Sequence, residues 1–179
     1  FMPQPNPPQK SPPMPAPPAE VVSAPSRDFD ALPPRVAALR QKILDSVATG
    51  DIEKLRNALE WSETPPSLVR EGPRPRGFGE IVDFLKNRSF DGKGRETLEI
   101  ARAVFEAPYV VVKRGPFVTY VWPSYAKVPL ASLSEDERLQ MWRCIRFADL
   151  GLHTPEGRPL MQHATIGPDG TWHTFWAIH

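Results

Sequence analysis

Apolar residues recur along this chain with two different periods, and the change of period separates helices from strands. Val36, Leu39, Ile43 and Val47 are spaced by three and four, which puts them on one buried face of an α-helix. Pro33-Pro34 suits its first turn, where proline's missing N–H has no partner to lose. Gly50 ends it, Asp51 can cap a second helix, and Ile52, Leu55 and Leu59 give that helix its apolar stripe. The pattern predicts two antiparallel helices joined at Thr49-Gly50-Asp51. Ankyrin-type repeats open in the same way, but no second copy follows, so a repeat array is excluded. Phe78, Ile81, Val82, Phe84 and Leu85 predict a short third helix. After the turn Asp91-Gly92-Lys93-Gly94, Leu98, Ala101, Val104 and Phe105 predict a fourth.

The period then falls to two. Residues 109–113 and 117–122 are β-branched and aromatic, and Arg114-Gly115-Pro116 joins them as a hairpin. Ser134-Glu135-Asp136-Glu137 is a capping box opening a helix expected to run through Arg146. Leu139, Trp142 and Ile145 are expected to face inward on it, with Cys144 turned away. A second hairpin pairs 160–166 with 171–178 across Gly167-Pro168-Asp169-Gly170. Pro-Asp-Gly favours a type I turn closed by a glycine bulge, which pairs Gly167 with Thr171. In that register Ala164, Ile166, Trp172, Trp176 and Ile178 share one face with Gln162 and Thr174. Met161, His163, Thr165, Thr171, His173 and Phe175 share the other. Trp172 and Trp176 are thus expected in the core, and His163 diagonal to His173 on the opposite face. These elements make an α+β fold: N-terminal helices packed on a small, mainly antiparallel sheet of two hairpins with an intervening helix.

Before Pro33 neither period is present. Twelve of the first 34 residues are proline, which fixes φ, removes donors and favours extended polyproline II. Between Pro3 and Pro18 the only large apolar group is Met14, so burial cannot offset the entropy of ordering. The division expected is a Pro-rich extended tail, 1–33, and a single α+β domain, 34–179, of about 145 residues. Deleting residues 1–28 is then expected to leave the domain's melting temperature nearly unchanged. Within the domain, 62–79 carries Pro65, Pro66, Pro73 and Pro75, and a loop of that length is functional or flexible.

Charge removes some function classes. Lys and Arg number 22 against 21 Asp and Glu, a net charge of +1, which argues against a nucleic-acid binder. Arg70, Arg74, Arg76, Lys86, Arg88, Lys93 and Arg95 are interspersed with Glu71, Glu80, Asp83 and Asp91, and the run is read as a solvated face. A single cysteine, Cys144, rules out an internal disulfide. No apolar run is long enough for a membrane helix, so no transmembrane segment is expected. The chain begins at Phe1, and a signal peptide removed ahead of a Pro-rich spacer would give this layout in an exported, periplasmic protein.

Candidate chemistry is sparse. His163 and His173, with His153 and His179, have neither HxxxH nor HExxH spacing, and a zinc site wants three or four ligands. No metal and no cofactor is expected. No local signature sets a histidine beside Cys144, Asp91-Gly92-Lys93-Gly94-Arg95 lacks the Lys-Ser/Thr step of a phosphate loop, and Glu96 with Glu99 is a solvated pair. No catalytic residue is assigned. Tyr120, Trp122 and Tyr125 cluster around Pro123, and such groups build cores, pocket walls and interfaces alike. Trp122, Tyr125, His163 and His173 are the candidate pocket or interface residues.

Tyr120-Val-Trp122-Pro, Pro129-Leu130 and Gly167-Pro-Asp-Gly-Thr-Trp172 with Phe175 together resemble a group of uncharacterised exported proteins from alphaproteobacteria. The likeness spans about residues 35 to 179 and implies a small α+β fold and export, with no chemistry attached. The closing aromatic hairpin is similar to NTF2-like cone folds, which implies a pocket lined by Trp122, Tyr125, Trp172 and Trp176.

The function expected is that of a non-catalytic accessory or interaction subunit docked on a larger protein complex, with the tail as a strap. Pro5, Pro8, Pro12, Met14, Pro15 and Pro18 would be its partner-binding residues, because an extended chain loses little entropy on docking. The alternative is a small enzyme or ligand-binding protein with the aromatic NTF2-like pocket. A PxxP ligand is the third reading, from Pro5 to Pro8, Pro12 to Pro15 and Pro15 to Pro18, with Lys10 as the basic flank.

Overall fold

The computed structural model describes residues 1–177, so the expectations for Ile178 and His179 lie outside the described residues. Five strands form one sheet: β1 Glu20–Val22, β2 Val110–Arg114, β3 Phe117–Trp122, β4 Gln162–Ile166 and β5 Trp172–Ala177. They lie in sequence order and every neighbouring pair is antiparallel. The helices are α1 Pro34–Ala48, α2 Arg56–Leu59 (reached through a 3-10 turn, Ile52–Leu55), α3 Gly77–Arg88, α4 Arg95–Glu106 and α5 Glu135–Trp142. The α+β class and the antiparallel sheet agree with the sequence pattern.

Local signals produced what they predicted. The α1 stripe Val36, Leu39, Ile43 and Val47 is buried, as are Leu98, Ala101, Val104 and Phe105 on α4. Asp51 accepts from the Glu53 N–H at 3.0 Å, and the Ser134–Glu137 capping box is complete. Gly94 opens α4 at φ 89°, and a Cβ there would stand 2.6 Å from Ile52 Cβ, so only glycine lets the helix start against the 3-10 turn. The core lies between the helices and one sheet face. Trp122 packs 5.2 Å from Tyr109 and 5.6 Å from Phe105 between ring centroids, and Trp172 packs 5.9 Å from Phe105. Val110, Val112 and Val121 form a separate small cluster.

Three expectations are corrected. First, the domain begins at Glu20, not Pro34. β1 pairs Glu20 with Arg114 and Val22 with Val112, and Ser26 exchanges two backbone hydrogen bonds of 2.9 Å with Tyr109. Arg27 donates to the Glu106 carbonyl and to Gln140, and Tyr109 donates its hydroxyl to the Asp28 carbonyl at 2.7 Å. Residues 19–24 carry no proline, and an edge strand needs hydrogen bonds on one side only. The two hairpins therefore join through β3 and β4 into a sheet that β1 extends.

Second, α5 stops at Trp142, and Leu139 and Trp142 are exposed, at 61% and 44%. Ile145 is buried as expected, and Met141 and Cys144 are buried in place of the other two. Two apolar stripes compete on this segment, and the polar contacts of Gln140 with Tyr125 and Arg27 go with the second.

Third, β5 bulges. Gly167 does take Thr171 as its turn partner, donating its N–H to the Thr171 carbonyl at 2.9 Å, and Ile166 pairs with Trp172. The next pair is Thr165 with Thr174, which leaves His173 as the extra residue. One inserted residue moves everything after it to the other face. Phe175 and Ala177 thus join Trp172 inside, and Trp176 turns out opposite His163.

Candidate functional site

A cleft of about 610 Å³ opens where the end of α3, the loop 67–71 and β5 meet. Each wall has a local cause. Ser67 is tied to the outer edge of β5, donating its N–H to the His173 carbonyl at 2.8 Å and accepting from the Phe175 N–H at 2.9 Å. That bond sets Leu68 into the core, buried, with Val69, Arg70 and Glu71 along the rim. The last two turns of α3 supply Phe84, Asn87 and Arg88. The bulge at His173 is what turns Trp176 into the cleft.

Two arginines meet at its floor. Arg146 is closed by a two-point ion pair with Asp149, Nε to Oδ2 at 2.9 Å and Nη2 to Oδ1 at 3.2 Å. Its Nη1 donates to the Arg88 carbonyl at 3.1 Å. Arg88 donates Nη1 to the Leu68 carbonyl at 3.0 Å, and has no ion pair of its own among the described residues. Burial pushes the Arg88 guanidinium down to about 10. The Arg146 charge adds to the push and Asp149 opposes it. Arg88 is therefore no part of a solvated basic face. Behind the two arginines a void of about 10 Å³ is bounded by Arg88, Arg146, Thr97, Gln162 and Phe175. Gln162 is 3% exposed, and its Nε2 has no hydrogen-bond partner among the described residues.

The expected pocket residues do not converge. Trp122 and Tyr125 are fully enclosed at 0% exposure, Tyr125 donating to Gln140 Oε1 at 2.6 Å, so both belong to the core. His163 lies on the other face of the sheet, in a shallow hollow with Thr165, Val121 and Lys127. Its Nδ1 is 3.0 Å from the Trp176 carbonyl, and burial pushes its imidazole down to about 4, the carbonyl contact opposing and Lys127 adding to the push. His173 is exposed at the bulge, and His153 sits in a loop with Nδ1 3.1 Å from the Gly151 carbonyl. Burial pushes the Cys144 thiol up to about 12, which removes its thiolate at neutral pH. Of the tail positions, Pro5, Pro8, Pro12, Met14 and Pro15 are exposed, while Pro18 lies against the turn at Gly115, where a Cβ would meet its ring at 3.2 Å.

Sequence reasoning passed over the residues that do converge. Arg88 was one cation in a mixed run, Arg146 a helix terminus, and Trp176 a core residue. Gln162 did give a signal, as a polar group on the face that carries Ala164 and Ile166. The charged and polar atoms at the floor can hold an anion, and the aromatic walls can hold an apolar body. Set against known proteins, this chain matches no family model, no curated protein and no solved structure.

Proposed function

We propose that this chain is a non-catalytic accessory subunit, whose folded domain docks on a larger partner while its proline-rich arm runs along that partner as a strap. One observation carries the reading. Residues 1–19 are exposed along their whole length, and they leave the domain from a root held on two sides, where Glu20 is ion-paired with both Arg114 and Lys127. A stiff arm on a fixed root begins its path in a set direction, so little entropy is lost when a groove takes it up. Pro5, Pro8, Pro12, Met14 and Pro15 are its contact residues. Pro18 is already used at the root.

The domain surface is in keeping with a docked life. Phe90 and Phe147 are exposed at 70% and 59% with ring centroids 4.5 Å apart, and Leu150 and Leu152 are also exposed. Phe147, Leu150 and Leu152 fall on one stretch of chain and Phe90 packs on the first of them, and contiguous exposed apolar groups mark contact surfaces more often than stray positions do. The resemblance to exported proteins implies a partner outside the cytoplasm. The test compares the native size of the full chain with that of a form lacking residues 1–19, both purified from source cells, with a photo-crosslinker at Met14. The full chain should migrate in a larger assembly and crosslink to one component of it, and the truncated form should be lost from that assembly. A truncated form that stays in the assembly at full occupancy makes the arm a spacer and defeats the proposal.

A further inference from the structure

We propose that the cleft beside α3 binds a small monocarboxylate carried on a flat apolar body, with Arg88 receiving the carboxylate. The site is independent of the arm, and its residues have no part in the docking reading. Arg146 brings no free charge to the cleft floor, because Asp149 neutralises it through two hydrogen bonds. Arg88 does: one of its five donors is used on the Leu68 carbonyl, and none is paired with a carboxylate among the described residues. A guanidinium in that state keeps donors free for a carboxylate oxygen.

The plainer account makes Arg88 a tie between α3 and the loop at Leu68. It leaves Gln162 unexplained. A buried amide without a partner is costly, and this one bounds the same small void as Arg88 and Arg146. About 10 Å³ is room for a single oxygen atom, of a water or of a ligand. A carboxylate with one oxygen there and the other on Arg88 would satisfy both groups.

Charge selects the ligand further. Arg88 is the one floor cation without an ion pair among the described residues, and the rim adds one charge of each sign, Arg70 and Glu71, so the cleft balances a single negative charge and a carboxylate fits better than a phosphate dianion. The walls then describe the rest of the molecule. Phe84, Leu68 and Trp176 offer apolar and aromatic surface, and a volume of about 610 Å³ is in the range of small-ligand sites.

Titration of the full-length, isotope-labelled chain with 1-naphthoate tests this, followed by the Trp176 indole N–H and the Arg88 Nε–H signals. The uncharged 1-naphthamide and the dianionic 1-naphthyl phosphate are the comparison probes. 1-Naphthoate should shift both signals and bind at least about tenfold more tightly than the amide, the size expected of a charge-assisted pair. Arg88→Gln should reduce naphthoate to the amide's affinity and leave the amide unchanged. If Arg88→Gln does not fold, Gln162→Leu serves instead, and it should weaken naphthoate severalfold with the fold retained. No shift at millimolar naphthoate, equal affinity for the amide, tighter binding of the phosphate, or a Gln162→Leu variant that binds as before would each overturn the proposal.

Discussion

Two truncations separate the arm from the domain, and their difference can be worked out in advance. Removing residues 1–19 takes away exposed chain and should leave the melting temperature within about 2 °C of the full chain's. Removing residues 1–28 also takes β1 and the segment behind it. The backbone bonds of Ser23 to Val111 and the reciprocal pair of Ser26 with Tyr109 are then lost, as are the contacts of Arg27 with Glu106 and Gln140. Tyr109 is 4% exposed, and its hydroxyl would lose its acceptor at Asp28. Net values near 0.5 to 1 kcal/mol for each solvent-near bond, and somewhat more for the stranded hydroxyl, give roughly 3 to 5 kcal/mol. At this chain length that corresponds to a fall of about 10 °C.

Thermal melts of the three forms, followed by near-ultraviolet circular dichroism, read this directly, since Tyr109 packs on Trp122. The result that refutes the reasoning is a form lacking 1–28 that melts with the full chain. The domain would then start near Pro34, as the sequence alone led us to expect. A form lacking 1–19 that loses as much as the longer deletion would place folding energy in the prolines themselves, contrary to their exposure.

Three further outcomes test other parts of the molecule. Trp172→Ala should cost about 3 to 5 kcal/mol and Trp176→Ala about 1 kcal/mol, because only Trp172 is buried; equal losses in urea unfolding would restore the unbulged register. Gly170→Ala should cost roughly 2 to 3 kcal/mol, since φ there is +84° and the new Cβ would stand 2.9 Å from the Arg35 carbonyl oxygen; a melting point unchanged in the variant would show that the turn does not rest on α1. His163 keeps a neutral ring down to about 4, whereas the unfolded chain takes up that proton near 6.5. In that window the unfolded state binds more protons, so stability falls as the pH falls, by about 2 kcal/mol between pH 7 and pH 5. His163→Gln should flatten the profile, and a profile unchanged in the variant would assign the acid sensitivity to other groups.

What the sequence disclosed was whatever depends on near neighbours. The stripes of α1 and α4, the Asp51 cap, the Ser134 box and the Pro-Asp-Gly turn are all settled within a few residues, and each was legible. β1 was not, because its partner strand is Val110–Arg114, some ninety residues away, and the prolines around it hid its two valines. The inward face of α5 depended on Gln140 finding Tyr125 and Arg27, again contacts between distant segments. The bulge at His173 is of the same kind, since Ser67 from a far loop holds the edge of β5 on both sides of it.

The departures from local rules are not scattered. The arginine drawn out of a mixed-charge run borders both the cleft and the void behind it, the glutamine on an apolar face borders that void, and the residue inserted into β5 sets Trp176 in the cleft wall. A sequence optimised only for folding would put an apolar residue at 162, on the buried face that carries Ala164 and Ile166. That change would remove the buried cost of the unpartnered Gln162 amide. Proteins keep such violations together where a ligand resolves them, which gives the joint position of Trp176, Arg88 and Gln162 more weight than any one of them has alone.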